Sequence, residues 1–490
     1  MSRTQDPPVI VWFRDDLRLA DNPALAAAID AEAPIVPVFI RETAPDALRA
    51  LGGAADWWLH GSLEALSASL EKHGLRLILR AGDARTEIGA LVNETGASSV
   101  FWNRRYHPAA RDVDADIKAS LAKNGIETKS FNGSLLIEPW EIQTGDGSYY
   151  RVYSPFARAA RQKLGSVDPL PAPEGKLSAP DSWPESDKLS DWSLRPSRPD
   201  WAGGLRETWE PGEAAAREAL EAFLDERLET YKSKRDFAAI DTTSRLSPRL
   251  RFGEVSPRTI WRAASHVIED GRTSTGRTQS AEKFLSEVLW REFSYHLLYH
   301  LPPLEQENVQ QKFDDFPWRT SDDPLKAWQS GRTGYPIVDA GMRQLWQTGW
   351  LHNRIRMVVA SFLTKHLLIH WRDGEAWFWD TLVDADAANN PASWQWVAGS
   401  GADAAPYFRI FNPILQGKKF DPDGAYVRAW VPELAELPDS HIHEPWSAPS
   451  SVLEKAGVTL GKTYPDPIVD HSDARKRALS AYDRIKGKAA

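Results

Sequence analysis

The side chains best suited to chemistry lie between residues 334 and 420 of the chain. Asn353 and Arg356 are three residues apart and would share one face of a helix, and Asp384 and Asp386 follow them. A flat hydrogen-bonding heterocycle such as a flavin ring needs acceptors for its imide N–H, donors for its carbonyls and a polar neighbour at its reactive nitrogen. These four residues supply all three, so the segment predicts the binding of such a ring.

Other chemistries have less support. Asp384 and Asp386 could bind a divalent metal, but no third ligand lies at a usable spacing, and no metal site is predicted. His441 and His443 are expected at the surface rather than around a metal ion. The chain has no cysteine, which excludes disulfides, iron–sulfur clusters and a thiol nucleophile.

Two further groups have both a functional and a structural interpretation. Glu287, Trp290 and Arg291 would share a helix face and offer an acid, a ring and a cation, or they form a core tryptophan beside a surface ion pair. Tyr231 and the run from residue 243 to residue 247 offer hydroxyls and backbone amides to phosphate oxygens, or a simple helix cap. The sequence leaves both alternatives open.

The composition limits the class of protein. A chain of 490 residues suggests two or three domains, and a net charge of −9 argues against nucleic-acid binding over the whole surface. Residues 343–372 carry five Lys or Arg and no Asp or Glu, which indicates either a basic groove or a solvated helix face. The 22 tryptophans favour ring stacking or electron transfer beyond core filling. Because no signal sequence and no apolar run of about 18 residues occurs, a cytoplasmic protein that does not span a membrane is expected.

The elements that position these residues begin with an α/β region. Up to residue 131, short apolar segments alternate with helical patterns, which predicts a doubly wound parallel five-stranded sheet with helices on both faces. Ligands in such sheets bind at the carboxyl ends of the strands, here after residues 13 and 102, although no G-x-G-x-x-G motif follows the first strand. The predicted strands are Val9–Phe13, Ile35–Ile40, Leu75–Leu79, Ser99–Trp102 and Thr128–Phe131.

A long linker precedes an all-helical second half. Seven prolines between residues 169 and 199 interrupt every periodicity, which indicates an extended linker. The predicted domains are residues 7–133 (α/β), 134–210 (linker) and 211–490 (all-α). The predicted helices of the last domain are Glu213–Lys232, Thr259–Ile268, Ser280–His300, Pro336–Gln347, Asn353–His370, Glu375–Leu382 and Ala474–Lys488.

Three longer segments carry a family resemblance. Residues 9–22 (VIVWFRDDLRLADN), 334–343 (GYPIVDAGMR) and 408–413 (FRIFNP) resemble signatures of the cryptochrome/photolyase family, and the likeness extends over almost the whole chain. Trp57-Trp58 and the loop Leu51-Gly52-Gly53 are most similar to the bacterial class III photolyases. The resemblance implies an N-terminal antenna domain, a crossing linker and a helical FAD-binding domain.

The resemblance also implies roles for individual residues around FAD. Asn353 would face the flavin N5, the Arg356–Asp384 pair would flank the ring, and Asp386 with Asn390 would bind its imide edge. The residues that would bind FAD are Tyr231, Thr243, Ser244, Leu246, Ser247, Glu287, Arg291, Asn353, Arg356, Asp384, Asp386 and Asn390.

A second set of roles concerns DNA and electron transfer. Trp394, Trp371 and Trp318 would form the hopping chain that reduces the flavin, and with Glu287 and Asn353 they are the expected catalytic residues. The residues that would hold a flipped-out lesion or line the mouth of its pocket are Arg235, Glu287, Trp290, Arg291, Arg354, Met357 and Trp396.

A few positions predict the reaction within the family. Asn353 is the amide of enzymes that repair cyclobutane pyrimidine dimers, where plant-type cryptochromes have an aspartate. Trp396 stands where DASH-type and plant cryptochromes usually have a tyrosine, and the histidine pair of (6-4) repair enzymes is missing. The resemblance therefore implies a deoxyribodipyrimidine photo-lyase, in which excited FADH⁻ passes an electron to a dimer flipped out of UV-damaged DNA and recovers it after the ring splits.

Several points stay open. A blue-light signalling flavoprotein is the main alternative, and a nucleotide-dependent transferase built on the N-terminal sheet is a third. The antenna chromophore is expected to be a folate, methenyltetrahydrofolate, although the loop at residues 103–108 departs from the Asn-Glu pattern of folate-binding photolyases. A deazaflavin or no antenna are the alternatives. A monomer in a bacterial cytoplasm, without a metal, is expected.

Overall fold

The computed structural model describes residues 6–43, 48–165, 167–270, 272–301 and 303–487, and its N-terminal part contains a five-stranded, all-parallel sheet. The strand order is β3-β2-β1-β4-β5. The central strand β1 pairs through Val11 with Pro37 of β2 and Phe101 of β4. All of β1 is buried, as expected for a strand covered by helices on both faces. The strands are β1 Val9–Phe13, β2 Ile35–Glu42, β3 Ile78–Gly82, β4 Ser99–Asn103 and β5 Glu127–Phe131.

Helices α1 to α4 connect the strands, and further helices follow to the end of the described chain. None of the described helices is long and apolar enough to cross a membrane. The helices are α1 Pro23–Asp30, α2 Gly53–Lys72, α3 Ala84–Thr95, α4 Pro108–Lys123, α5 Tyr153–Lys163, α6 Gly203–Thr208, α7 Glu213–Ala222, α8 Leu228–Lys234, α9 Ser247–Arg251, α10 Pro257–Glu269, α11 Thr275–His300, α12 Asp322–Gln329, α13 Pro336–Thr348, α14 Asn353–Ser361, α15 Trp371–Thr381, α16 Asn389–Ala398, α17 Pro413–Phe420, α18 Ala425–Trp430, α19 Ser450–Lys455 and α20 His471–Asp483.

The predicted fold class, a parallel α/β sheet followed by a helical region, is confirmed. The bounds of β1 are those predicted, but β3 begins at Ile78 rather than at Leu75. Leu75 and Leu77 are buried although they precede the strand. The apolar pattern reports burial, which here starts before the chain pairs with β2.

The prediction of one helix over Asn353–His370 was wrong. Helix α14 ends at Ser361, a π-helical turn follows at Phe362–His366, and α15 begins only at Trp371. Leu368 has a φ of 56°, and a residue in this left-handed region cannot continue a right-handed helix. A second π-helical turn, at Phe223–Arg227 between α7 and α8, interrupts the helix predicted over Glu213–Lys232.

Contacts divide the chain into two compact units. The first comprises Met1–Trp201, Trp209–Glu229 and Ser244–Pro302, and the second comprises Ala202–Thr208, Thr230–Thr243 and Pro303–Ala490. In the first unit, apolar side chains of the sheet pack against apolar side chains of α3 and α4. In the second unit α13 to α16 surround the largest described core. The predicted domain limits at residues 133 and 210 stay predictions.

Candidate functional site

The first turn of α14, in the second unit, carries Asn353. His352 is buried, and its Nδ1 accepts a hydrogen bond from the backbone N–H of Arg354 at 3.2 Å, which caps the helix. Burial lowers the pKa of His352 to about 4, so its ring is neutral at pH 7. Asn353 is exposed, and its carboxamide makes no hydrogen bond to the described part of the chain. The amide is therefore available to a ligand.

One turn further along α14, Arg356 forms the predicted pair with Asp384. Its Nη1 and Nη2 donate to the two carboxylate oxygens at 3.1 and 2.8 Å, and its Nε donates to the Leu351 carbonyl at 2.7 Å. The Asp384 side chain is 3 % exposed and that of Arg356 26 %. Two parallel hydrogen bonds fix the plane of the guanidinium. The helix thus holds a neutral amide and an oriented cation three residues apart.

Asp386 and Asn390 hold the start of α16. The Oδ1 of Asp386 accepts from the backbone N–H groups of Ala388 at 2.7 Å and Asn389 at 2.5 Å. The Nδ2 of Asn390 donates to the carbonyl and the Oε1 of Glu375, at 3.1 and 2.8 Å. Both residues therefore have a structural role that the sequence did not indicate. Their contact with the imide edge of a flavin stays a prediction.

Two arginines predicted at the mouth of a DNA pocket are linked through adjacent residues of the second unit. Arg354 pairs with Asp236, with 2.9 Å between Nη2 and Oδ2. Arg235, next to Asp236, donates from Nη1 to the Tyr231 hydroxyl at 3.0 Å. Met357, a third member of the predicted set, is half-buried. The structure thus brings the two cations close together.

Trp394, Trp371 and Trp318 lie in or against one core of the second unit. Trp394 and Trp371 are buried, whereas Trp318 is partly exposed at its margin. The His370 ring connects two of them, with centroids 4.9 Å from Trp318 and 5.7 Å from Trp371. Trp396 follows on α16 and is half-buried. The sequence could not place these rings, and the structure makes Trp318 the outermost of the predicted chain.

Two close contacts hold the inner rings in place. The Nε1 of Trp371 donates to Oδ1 of Asn308 at 2.8 Å. The Trp394 ring lies directly against Gly374, where an added Cβ would come within 2.1 Å of Cη2. These tryptophans therefore have fixed positions, which electron transfer requires but which core packing also produces.

In the first unit, the charged residues of α11 have separate partners. Glu287 pairs with Lys283 one turn earlier, at 2.7 Å. Arg291 pairs with Glu292 at 3.2 Å and donates to the Ser134 carbonyl at 2.9 Å. An acid and a cation are thus present, as predicted, and each is held by its own ion pair.

Trp290, on the same helix, is stacked face to face on Tyr153 of α5. The ring centroids are 3.6 Å apart and the planes differ by 6°. The interpretation of Trp290 as an enclosed core residue is wrong, because the ring is only half-buried. No sequence pattern indicated Tyr153, which lies far away along the chain.

The residues predicted to bind phosphate form a turn before α9. The Leu246 N–H donates to Oγ of Ser244 at 3.4 Å, and Arg245 has a φ of 53°. Thr243 belongs to the second unit and residues 244–247 to the first. The Ser244 hydroxyl thus serves the local turn, and its contact with phosphate stays a prediction.

The carboxyl edge of the sheet, where a ligand was expected, is filled by side chains that we call the edge network: Arg14, Asp16, Asn22, Asn103 and Asp114. The Nδ2 of Asn103 donates to Oδ2 of Asp16 at 2.6 Å and to Oδ1 of Asn22 at 2.8 Å. Arg14 pairs with Asp114 at 2.6 Å. All five side chains are buried. Their polar groups bind one another across strand ends.

Lys365 and His443 are buried basic residues whose burial was not predicted. Lys365 is fully buried, its Nζ donates to the Arg409 carbonyl at 3.4 Å, and burial lowers its pKa to about 7. The position of Lys365 inside an apolar run of the sequence could have indicated its burial. The surface position predicted for His443 was wrong, because its ring is buried with Nε2 2.6 Å from the Asp421 carbonyl. Among the described residues, no group of three or more His, Cys, Asp or Glu is placed to hold a metal ion.

Comparison with known proteins defines the class. A family model described as DNA photolyase matches residues 9–174, and one described as the FAD binding domain of DNA photolyase matches residues 284–484. A deoxyribodipyrimidine photo-lyase of Agrobacterium fabrum is 55 % identical over 481 residues, which are 98 % of each chain. The chain belongs to the photolyase/cryptochrome family.

Two further relatives place it within that family. Cryptochrome-1 of Arabidopsis thaliana is 39 % identical over 482 residues, which cover 97 % of this chain and 70 % of the relative. The crystal structure of a bacterial class III photolyase from Agrobacterium tumefaciens superimposes with a TM-score of 0.94 and 53 % identity, and the match covers 99 % of this chain and 100 % of that one. The predicted family, its likeness to class III photolyases and the FAD-binding domain are confirmed.

Proposed function

We propose that this protein is a deoxyribodipyrimidine photo-lyase that uses light to split cyclobutane pyrimidine dimers in DNA. The observation that carries the proposal is the exposed carboxamide of Asn353. Three residues later on the same helix, Asp384 orients the guanidinium of Arg356. A neutral amide can donate or accept a hydrogen bond, so it suits a reduced anionic flavin without adding a second negative charge. The 55 % identity to a relative of that name supports the proposal.

The second unit offers groups that fit a flavin ring. Asn353 would contact N5, the guanidinium of Arg356 would lie beside the ring, and Asp386 with Asn390 would contact the imide edge. Bound in its reduced form, FAD supplies the electron donor that light excites. The further contacts proposed from the family resemblance are Tyr231 and Thr243 in the second unit, and Ser244, Leu246, Ser247, Glu287 and Arg291 in the first.

Lesion binding is proposed for aromatic and charged residues of each unit. A dimer within a duplex has to be flipped out, which costs less at a poorly stacked lesion than at an intact step. Trp290 and Trp396 each offer a half-buried ring for stacking. Glu287 holds the Lys283 ammonium at 2.7 Å, and this bridging donor would stabilise negative charge on the dimer carbonyls. The remaining proposed contacts are Arg235, Arg291, Arg354 and Met357.

Trp394, Trp371 and Trp318 are proposed as the route by which electrons reach the flavin. Trp394 and Trp371 are buried and Trp318 is partly exposed. This gradient supports electron transfer from the surface at Trp318 inwards. Trp371→Phe should block light-driven reduction of bound FAD and leave repair by chemically reduced protein intact. Loss of repair in the reduced sample would contradict the assignment.

The test of the function is direct. Fully reduced, FAD-containing protein is irradiated with an oligonucleotide that contains one thymine dimer, and the return of thymine absorbance is followed. We expect repair in blue light, none in the dark and none of a (6-4) photoproduct. Absence of dimer repair by fully reduced protein would refute the proposal.

A blue-light photoreceptor is the second candidate, because Arabidopsis Cryptochrome-1 is 39 % identical over nearly the whole chain. The same sample distinguishes the two functions. A long-lived light-induced spectral change together with no preference for dimer-containing DNA would favour the photoreceptor.

The proposal also covers the antenna chromophore, the oligomeric state and the cellular location. Methenyltetrahydrofolate is the proposed antenna, with a deazaflavin or no antenna as alternatives. A single absorption and fluorescence spectrum of the purified protein distinguishes them, because the chromophores differ in the near ultraviolet and blue. The protein is proposed to act as a metal-independent monomer in a bacterial cytoplasm, and gel filtration tests the monomer.

A further inference from the structure

Tyr153 and Trp290 form a braced two-ring stack in the first unit. The Tyr153 hydroxyl donates to the Ser286 carbonyl at 2.7 Å, which anchors the phenol to α11 one turn before Trp290. Phe293 stands at the edge of both rings, 6.0 Å from Tyr153 and 6.1 Å from Trp290, with planes tilted by 72° and 76°. The indole thus has one covered face and a braced edge.

The geometry differs from ordinary aromatic packing in the same unit. Aromatic pairs generally prefer offset or edge-to-face arrangements with centroids about 4.5–7 Å apart. Trp58 and Trp209 follow this preference, at 5.4 Å and 64°. Trp290 and Tyr153 are closer and nearly parallel, at 3.6 Å and 6°.

Part of the Trp290 side chain is accessible. Trp290 is half-buried, although Tyr153 covers one face and Phe293 one edge. Among the described residues, no aromatic ring is stacked on the face opposite Tyr153. A flat face held at a fixed angle is the surface on which a planar base stacks.

We propose that Tyr153 is a positioning residue for the lesion, which fixes the plane of Trp290 so that its open face receives one pyrimidine ring. The inference rests on the lesion-binding role proposed above for Trp290. An indole that rotates freely has to be ordered when a base stacks on it, and this ordering weakens binding. Tyr153 orders the ring in advance and becomes the outer member of a stack of phenol, indole and base.

The test separates positioning from packing. FAD-loaded protein is titrated in the dark with dimer-containing and undamaged oligonucleotides, and repair per absorbed photon is measured at saturating DNA. Tyr153→Leu should raise the Kd for the dimer about 3- to 10-fold and leave both the repair yield at saturation and the binding of undamaged DNA within about twofold.

Two matched variants serve as controls. Tyr153→Phe loses the hydrogen bond to Ser286 but keeps the ring and its contact with Phe293, so it should bind the dimer within about twofold of the natural protein and more tightly than Tyr153→Leu. Tyr149→Leu removes another stacked ring of the same unit, which lies 5.0 Å from His300 at 6°, and should change nothing. A loss of about tenfold in Tyr153→Phe would place the effect on the hydroxyl and overturn the inference, even if the leucine variant does not fold.

A double-mutant cycle tests whether Tyr153 acts through Trp290. In a Trp290→Ala background, Tyr153→Leu should have no further effect on dimer binding. An equal effect in both backgrounds would overturn the inference and leave the proposed function standing. Unchanged dimer binding in Trp290→Ala alone would instead refute the role of Trp290, and the inference with it.

Discussion

The edge network of the first unit and the first turn of α14 in the second are built from the same residue types and use them differently. Each contains an asparagine and an arginine held by an aspartate. The Nδ2 of Asn103 donates hydrogen bonds to Asp16 and Asn22, at 2.6 and 2.8 Å. Asn353 is exposed, and its carboxamide makes no hydrogen bond to the described chain.

Enclosure explains why only one of the two asparagines is available to a ligand. A buried polar group costs free energy unless it is hydrogen-bonded, and the buried carboxamide of Asn103 uses its Nδ2 donors within the edge network. An amide in water costs little on folding and keeps its donors and acceptor for a ligand. The residue types are the same, and enclosure separates a structural network from a binding surface.

A carboxylate placed in the edge network should destabilise the protein more than any other change considered below. Asn103→Asp replaces a donor with an acceptor next to Oδ2 of Asp16, whose own pKa burial already raises. We expect the free energy of unfolding at pH 7 to fall by about 3–5 kcal/mol, measured by chemical denaturation. The new carboxyl would have a raised pKa in the folded state, so the deficit should shrink as the pH falls and it becomes protonated. A loss below about 1 kcal/mol would show that the network tolerates a further carboxylate.

The sequence predicted the fold well where burial and pairing coincide. β1 is buried throughout and was predicted to the residue, whereas β3 was misplaced because Leu75 and Leu77 are buried before pairing begins. The break after α14 left no trace in the apolar pattern, because Leu367 and Leu368 stay buried through it. No glycine or proline marks that turn, so the positive φ of Leu368 could not be foreseen.

The site was predictable where residues are neighbours on one helix. Helical spacing places Asn353 and Arg356 together, and the family resemblance supplied Asp384 as the partner. Contacts between distant elements were not predictable, and Tyr153 against Trp290 is the clearest case. Neither ring carries a local signal, since the stack exists only once α5 packs against α11.

A second test concerns Lys365 and asks whether burial alone determines how much a polar group lowers the free energy of unfolding. Lys365 is buried with one hydrogen bond at 3.4 Å, and its pKa is lowered to about 7. The unfolded chain therefore binds more protons than the folded one above pH 7, so this residue should make stability rise with pH from about 7 towards 10.

Lys365→Met should remove this rise and stabilise the protein by about 1–4 kcal/mol at pH 7 and below, measured by urea unfolding across pH 6 to pH 9. Lys476→Met, at a largely exposed lysine of α20, is the matched control and should keep the rise. Equal pH profiles for the natural protein and Lys365→Met would show that Lys365 gains partners that reduce its burial cost.

A third test compares an open and a closed tryptophan on α16. Trp396 is half-buried, whereas Trp394 of the same helix is enclosed. Trp396→Ala should weaken dimer binding by about 1–3 kcal/mol, as for one lost base stack, and leave FAD bound. Trp396→Phe should recover most of the affinity. Unchanged dimer binding, measured by titration in the dark, would remove Trp396 from the proposed site, and loss of FAD would assign it to the core.

The smallest effect on folding is expected at the open amide. Asn353→Asp should change the free energy of unfolding of the FAD-free protein by less than about 0.5 kcal/mol, because the side chain is exposed and unbonded. The same change places a negative charge beside the proposed position of the reduced anionic flavin. It should therefore lower the reduction potential of bound FAD, measured by redox titration. A folding deficit like that of Asn103→Asp would end the distinction between the two regions, and an unchanged potential would mean that Asn353 does not face the flavin nitrogen.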